Sequence, residues 1–208
     1  MKIRRKTFDL LLALGGAVLT VVLIVAGALL MWGYAYTNSN VHNQLAMQQI
    51  YFPPKAAFAH AKAGTEITPS MIPSVSQYAG QELLTGSQAA VYANDFIAVH
   101  LSEMPYHGVY AKVSTAARAA KPGSPQAAQL AQLEQTTFQG TTLRGLLLEA
   151  YAFSTIGEIA LVASIVSFGL AAVMLVLTLL GLVHWGRVSE EVPFPKDRHN
   201  KEEAPQAA

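Results

Sequence analysis

IALVASIVSFGLAAVMLVLTLLGLVHW, from Ile159 to Trp185, contains no acid, no lysine and no arginine. As a helix rising about 1.5 Å per residue it spans about 40 Å, enough to cross a hydrocarbon core about 30 Å thick with some tilt. A second run of the same kind, LLLALGGAVLTVVLIVAGALLMWGYAY, extends from Leu10 to Tyr36. Trp32, Tyr34 and Tyr36 stand near the end of the earlier run and Trp185 closes the later one, where amphipathic rings favour a membrane interface. A buried core helix is the competing reading, and the length of both runs argues against it. Only 13% of the 208 residues are charged, about half the share usual in soluble domains.

Orientation follows from the basic residues. Lys2, Arg4, Arg5 and Lys6 precede the first run, and Arg187, Lys196, Arg198 and Lys201 follow the second. Cationic flanks stay on the cytoplasmic side, so both termini are expected inside a cell membrane crossed twice, with the middle of the chain outside. Gly33-Tyr34-Ala35 offers a small-x-small pattern for signal-peptide cleavage, but the apolar run is about twice a usual signal core. The expected organisation is a basic cytoplasmic N-terminus at 1–9, a transmembrane helix at 10–36, a helical extracytoplasmic domain at 37–157, a second transmembrane helix at 158–185 and a disordered cytoplasmic tail at 186–208. The fold class is therefore all-α.

Within the outer segment, NSNVHNQLAMQQI can prolong the first helix until Pro53-Pro54 stops it. KAAFAHAKAG predicts a short alanine-rich helix ending on Gly64, and TEITPSMIPSVSQYAG reads as a loop. Thr85 with Gln88 forms a capping box. It opens a helix whose apolar face runs Ala90, Ala93, Ile97, Leu101, Met104, widened by Tyr92, Phe96 and Val99. Pro105 and Gly108 close that helix, with Gly108 supplying a positive φ to the turn YHGVY. VYAKVSTAARAA predicts another helix. Ser124 and Pro125 cap QAAQLAQLEQTTF, which Gly140 separates from a long helix beginning TTLRGLLLEAYAF and continuing into the second span. Gly157 is its weak point: alanine there is expected to be tolerated or mildly stabilising unless the glycine makes a close contact. The tail from Arg187 is too polar to fold alone.

The candidate chemistry is sparse. VYANDFIAVHLSEMPYHGVY places His100, Glu103 and His107 at i, i+3 and i+7, one side of an unbroken helix and a conceivable metal face. Pro105 intervenes and the tight spacing of a zinc motif is absent, so the ordinary reading is a packed helix with polar residues facing water, and no metal site is expected. Glu149 and Glu158 stand beside the second span, as interfacial acids or as proton or cation contacts. Arg144, five residues before Glu149, is poorly spaced to pair with it. Ala13 and Ala17 in the first span, and Ala163, Ser167 and Ala171 in the second, form rows of small residues that let helices approach closely. No phosphate loop, nucleophile elbow or dinucleotide fingerprint occurs, so no cofactor is expected. A net charge of +1 gives no electrostatic case for nucleic acid. The absence of cysteine excludes disulfides, thiolate zinc sites and cysteine lipidation.

QLAMQQIYFPP, YAGQELLTGSQAAVYANDFIAVHL and TLRGLLLEAYAFSTIGEIALVAS together resemble a family of uncharacterised two-pass membrane proteins from actinobacteria, along nearly the whole chain. The resemblance implies the two-pass topology. Some members are labelled aromatic ring-opening dioxygenases, a chemistry that needs clustered His and carboxylate ligands to iron in a substrate pocket. The expected function is non-catalytic: an accessory or scaffold subunit that packs in the lipid bilayer against other membrane or envelope proteins. A membrane-anchored sensor or small-ligand-binding module is the alternative, and a metal-dependent membrane enzyme the third.

Overall fold

The structure, a computed structural model, describes residues 5–187. Lys2, Arg4 and the tail carrying Lys196, Arg198 and Lys201 lie outside the described residues. Every regular element among those described is helical, with one isolated antiparallel bridge joining Tyr51 and Glu82. The helices are α1 (Arg5–Gln48), α2 (Lys55–Phe58), α3 (Ile72–Val75), α4 (Gly86–Val91), α5 (Ala98–Glu103), α6 (Tyr110–Ala119) and α7 (Pro125–Arg187). The chain divides into two compact units: Met1–Met31 with Val162–Ala208, and Trp32–Leu161.

In the first unit, parts of α1 and α7 lie antiparallel. Both helices are long and apolar enough to cross a membrane, and only 17% of the most apolar window of each is buried. Leu12, Val18, Val21, Leu29, Val162, Ile165 and Leu180 all stand at least half exposed.

The second unit has a core of its own. α1 ends at Gln48, before the proline pair, because Gln49 turns into the left-handed region (φ 51°). The chain then runs extended: the Leu83 amide donates to the Ile50 carbonyl at 2.8 Å and the Phe52 amide to that of Gln81 at 2.9 Å. This places Phe52 between Tyr78 and Tyr92, ring centroids 5.1 and 5.3 Å away. Full burial of such a ring is worth about 1.5–3 kcal/mol.

Several local expectations need correction. The alanine-rich helix is only Lys55–Phe58. Beyond it the chain doubles back, the Lys62 amide donating to Ile67 O and the Thr65 hydroxyl bridging Lys62 O and Ile67 O. This closed loop satisfies locally the backbone groups that a longer helix would have used. The expected loop after it holds three short helical turns, Pro69–Met71, α3 and Ser76–Tyr78. Ile67, Met71 and Val75, four residues apart, are buried there, and each proline sits in a first turn where its missing N–H does no harm.

The capping box forms as expected: Gln88 N donates to Thr85 Oγ1 and Thr85 N to Gln88 Oε1. The helix it opens contains a π-helical turn, Tyr92–Ile97. That extra turn width moves the buried face to Ala89, Ala93, Ile97 and Leu101, in even steps of four, leaving Ala90 half-buried. Ser124 caps α7, its Oγ accepting from the Ala127 amide at 3.1 Å. Gly140 does not break α7, which continues through it. A Cβ at Gly140 would come within 2.9 Å of Leu101 Cδ2, so this glycine makes room for a packed leucine. One helical glycine costs only about 1 kcal/mol.

Candidate functional site

The aromatic ladder of the second unit runs from Phe52 through Tyr92 and Phe96 to His100, with centroids 5.3, 4.7 and 4.6 Å apart. His100 closes it. Its Nδ1 lies 2.9 Å from Phe96 O and its Nε2 2.8 Å from Glu66 O, so both ring nitrogens face backbone carbonyls. The ring thereby ties the 62–67 loop to α5. Burial, and after it the Glu66 carboxylate, holds the Tyr92 phenol above its ordinary pKa of 10.0.

Glu103 is exposed, at the last residue of α5. Met104 is extended, and Tyr106, His107 and Gly108 all take positive φ (60°, 55° and 61°). That reversal carries His107 off the face of His100, and its Nδ1 stands 3.4 Å from Ser102 O. The expected positive φ at Gly108 is present, and the glycine is needed twice over: a Cβ there would run into the Leu101 carbonyl. Among the described residues no three His, Asp or Glu side chains gather to hold a metal ion.

Glu149 and Glu158 are exposed on α7. Arg144 does not reach Glu149; its Nη2 donates to Asn94 Oδ1 at 3.0 Å.

In the first unit the helix contact is lined by small residues. Ser164 Oγ donates to Gly27 O at 2.9 Å, and Ser167 Oγ to Leu23 O at 2.8 Å. A Cβ on Gly27 would come within 2.9 Å of the Phe168 ring. Ser164, Ser167, Ala171 and Thr178 are buried on α7, and Ala13 and Thr20 on α1. Ala17 and Ala163 are half-buried beside this seam. The sequence reading centred its α7 row on four-residue steps from Ala163. The buried seam residues on α7 step by three, four and seven and those on α1 by seven, the heptad spacing that keeps two helices in register with each other. At one end of the seam, Asp9 Oδ2 and His184 Nε2 stand 4.0 Å apart, too far for a hydrogen bond.

The second unit also holds a concavity that was not read from the sequence. It is an open groove of about 500 Å³ between the stretch of α1 from Tyr36 to Gln48 and the stretch of α7 from Leu143 to Phe153. One wall is polar, with Thr37, Asn40, Gln44 and Gln48. The floor is Val41 and Leu45, and the facing wall is Leu143, Leu146, Ala150 and Phe153, with Glu149 the one charged group. The signal was present in the sequence: polar residues at 37, 40, 44 and 48 alternate with apolar residues at 41 and 45. A helix-wide apolar reading hides that stripe.

Comparison with the models of protein families, with curated proteins and with solved structures gives no match.

Proposed function

We propose that this chain is a two-pass integral membrane protein with both termini in the cytoplasm and its helical domain outside, and that it serves as a non-catalytic accessory or scaffold subunit of a membrane or envelope complex. In this reading it belongs with the actinobacterial two-pass proteins that it resembles. The observation that carries the proposal is the surface of α1 and α7. The most apolar window of each is only 17% buried, and large aliphatic side chains cover the remainder. An exposed apolar surface of that extent marks contact with membrane or with another protein. The basic residues outside both runs set the orientation. The serine–carbonyl bonds of the seam support a stable pair of spans, since such bonds between helices in lipid contribute about 0.6 kcal/mol each.

The test is chemical crosslinking in native membranes, followed by purification in mild detergent and mass spectrometry. A stoichiometric protein partner is expected. Recovery of the chain alone, without crosslinks to a second protein, would reject the subunit role. The groove of about 500 Å³, within the usual size of ligand sites, favours a second reading, a ligand-binding module. That reading requires a gain in thermal stability on adding a small ligand to the partner-free chain.

A further inference from the structure

The first unit leaves two polar atoms without a hydrogen bond, and both residues stand on one groove. Thr178 is only 6% exposed, and its Oγ1 has no partner; the buried Oδ2 of Asp9 has none either. Both residues line a concavity of about 540 Å³ between α1 and α7. Gly15, Gly16 and Gly181 line it too, and a Cβ added at Gly15 would meet nothing within 4 Å. A buried polar group without a hydrogen bond is costly, and in hydrocarbon no water replaces the missing partner.

The spacing of the two groups selects the occupant. Thr178 Oγ1 faces Gly16, where an added Cβ would come within 2.5 Å of it. Gly16 is seven residues along α1 from Asp9, and Thr178 six along α7 from His184, so the two levels are about 10 Å apart. Asp9 borders the first apolar run and Thr178 lies well inside the second. A lipid headgroup beside Asp9 would present only its acyl chain to Thr178, and an acyl chain has no hydrogen-bonding group. A helix carries side chains six or seven residues apart on one face and meets both levels. A second copy of this chain cannot supply that helix. Its two apolar runs contain no Lys, Arg, Asn or Gln, and their hydroxyls at Thr20, Ser164, Ser167 and Thr178 are buried.

We propose that this groove receives a transmembrane helix of a different protein, with an N–H donor (amide, ammonium or guanidinium) level with Asp9 and a second polar side chain six or seven residues deeper, level with Thr178. The inference deepens the subunit reading and rests on it.

The full chain would carry a photoreactive amino acid at Leu12, Leu19 or Leu177, exposed residues of the groove, or at Val22 or Val173, exposed outside it. After irradiation in native membranes, adducts would be sequenced by mass spectrometry. The groove probes are expected to capture a span of another protein that carries the two polar residues at that spacing. Gly15→Leu, which fills the groove where space is open, should abolish the adduct. Thr178→Val, close in shape, should lower its yield about threefold, the size of one side-chain bond between helices in lipid. Asp9→Asn should lower it about eightfold, since charge-assisted bonds are about twice as strong as neutral ones. In the purified chain both polar substitutions should keep the wild-type Tm, because neither atom bonds within the chain.

Groove adducts with lipid alone, with a second copy, or with a span lacking the polar pair would overturn the proposal. So would adducts indifferent to all three substitutions, or a fall in Tm showing that Asp9 and Thr178 serve the seam itself. If only Val22 or Val173 captures a protein, the subunit reading stands and this inference is overturned. If no position captures a protein, the subunit reading falls, and the inference with it.

Discussion

Replacing Gly157 by alanine sets two effects of known sign against each other. In an isolated helix the change stabilises by about 1 kcal/mol. In this protein Gly157 lies against α1, where an added Cβ would run into Thr37 Oγ1 and approach Thr37 Cβ to 3.4 Å. The Thr37 hydroxyl is not free to swing away without loss, because it donates to Gly33 O or Tyr34 O, each at 3.0 Å. Overfilling a packed contact costs about 1–3 kcal/mol. The net expectation is a loss of up to about 2 kcal/mol, opposite to the gain that helix propensity alone predicts. At about 2–4 °C per kcal/mol for a chain of this size, Tm should fall by up to about 8 °C. Thr37→Ala removes the obstructing oxygen. In that background the same glycine substitution should stabilise by about 1 kcal/mol. The assay is thermal unfolding in detergent of the wild type, both single variants and the double variant. The coupling between the two sites should reach about 1–3 kcal/mol, as for residues in contact. Equal effects of Gly157→Ala in the two backgrounds would refute the packing argument.

Ala152→Pro should destabilise the protein by about 3 kcal/mol or more, through the lost backbone bond and the ring clash inside α7; amide exchange should be slow from Phe153 to Glu158 in the wild type, and fast exchange there would contradict an unbroken helix. His100→Ala should cost about 1–2 kcal/mol by freeing the Glu66 carbonyl and should speed amide exchange across residues 62–67. Metal analysis should find the same content in the wild type and in the His100→Ala, His107→Ala double variant; a stoichiometric metal lost from the variant would reinstate the metal face. Because burial raises the Tyr92 pKa in the folded state, its contribution to stability is complete below about pH 10 and is lost as pH rises through the folded value. Tyr92→Phe should flatten that alkaline limb in a titration of Tm, and an unchanged limb would reject the assignment.

The sequence made some of this structure readable and concealed the rest for physical reasons. The two apolar runs are legible because a helix long and apolar enough to cross a membrane shows in uninterrupted composition, a signal that needs no tertiary contact. The capping box at Thr85 and the cap at Ser124 are legible because their hydrogen bonds close within a few residues. Gly140 and Gly157 are not. Each reads locally as a weak point, and each is set by a neighbour distant in sequence, Leu101 and Thr37 respectively. The short helical turns at 69–78 were hidden by prolines that suggest a loop, although Ile67, Met71 and Val75 carry a four-residue period. The π-helical turn shifted the buried face from Ala90 to Ala89, which no periodicity of 3.6 anticipates. His100, Glu103 and His107 share a face only in a continuous helix, and the left-handed residues after Pro105 separate them. The groove needed two helices side by side before its polar and apolar walls could be seen.

The claim on which the rest depends is that α1 and α7 cross a membrane with residues 37–157 outside and both termini inside. The chain contains no cysteine, so single cysteines report without a background. Ser124→Cys, in the turn before α7, should react with a membrane-impermeant maleimide in intact cells. Ser189→Cys, after the second span, should react only once the membrane is permeabilised. Labelling of Ser189→Cys in intact cells, or protection of Ser124→Cys, would contradict the account.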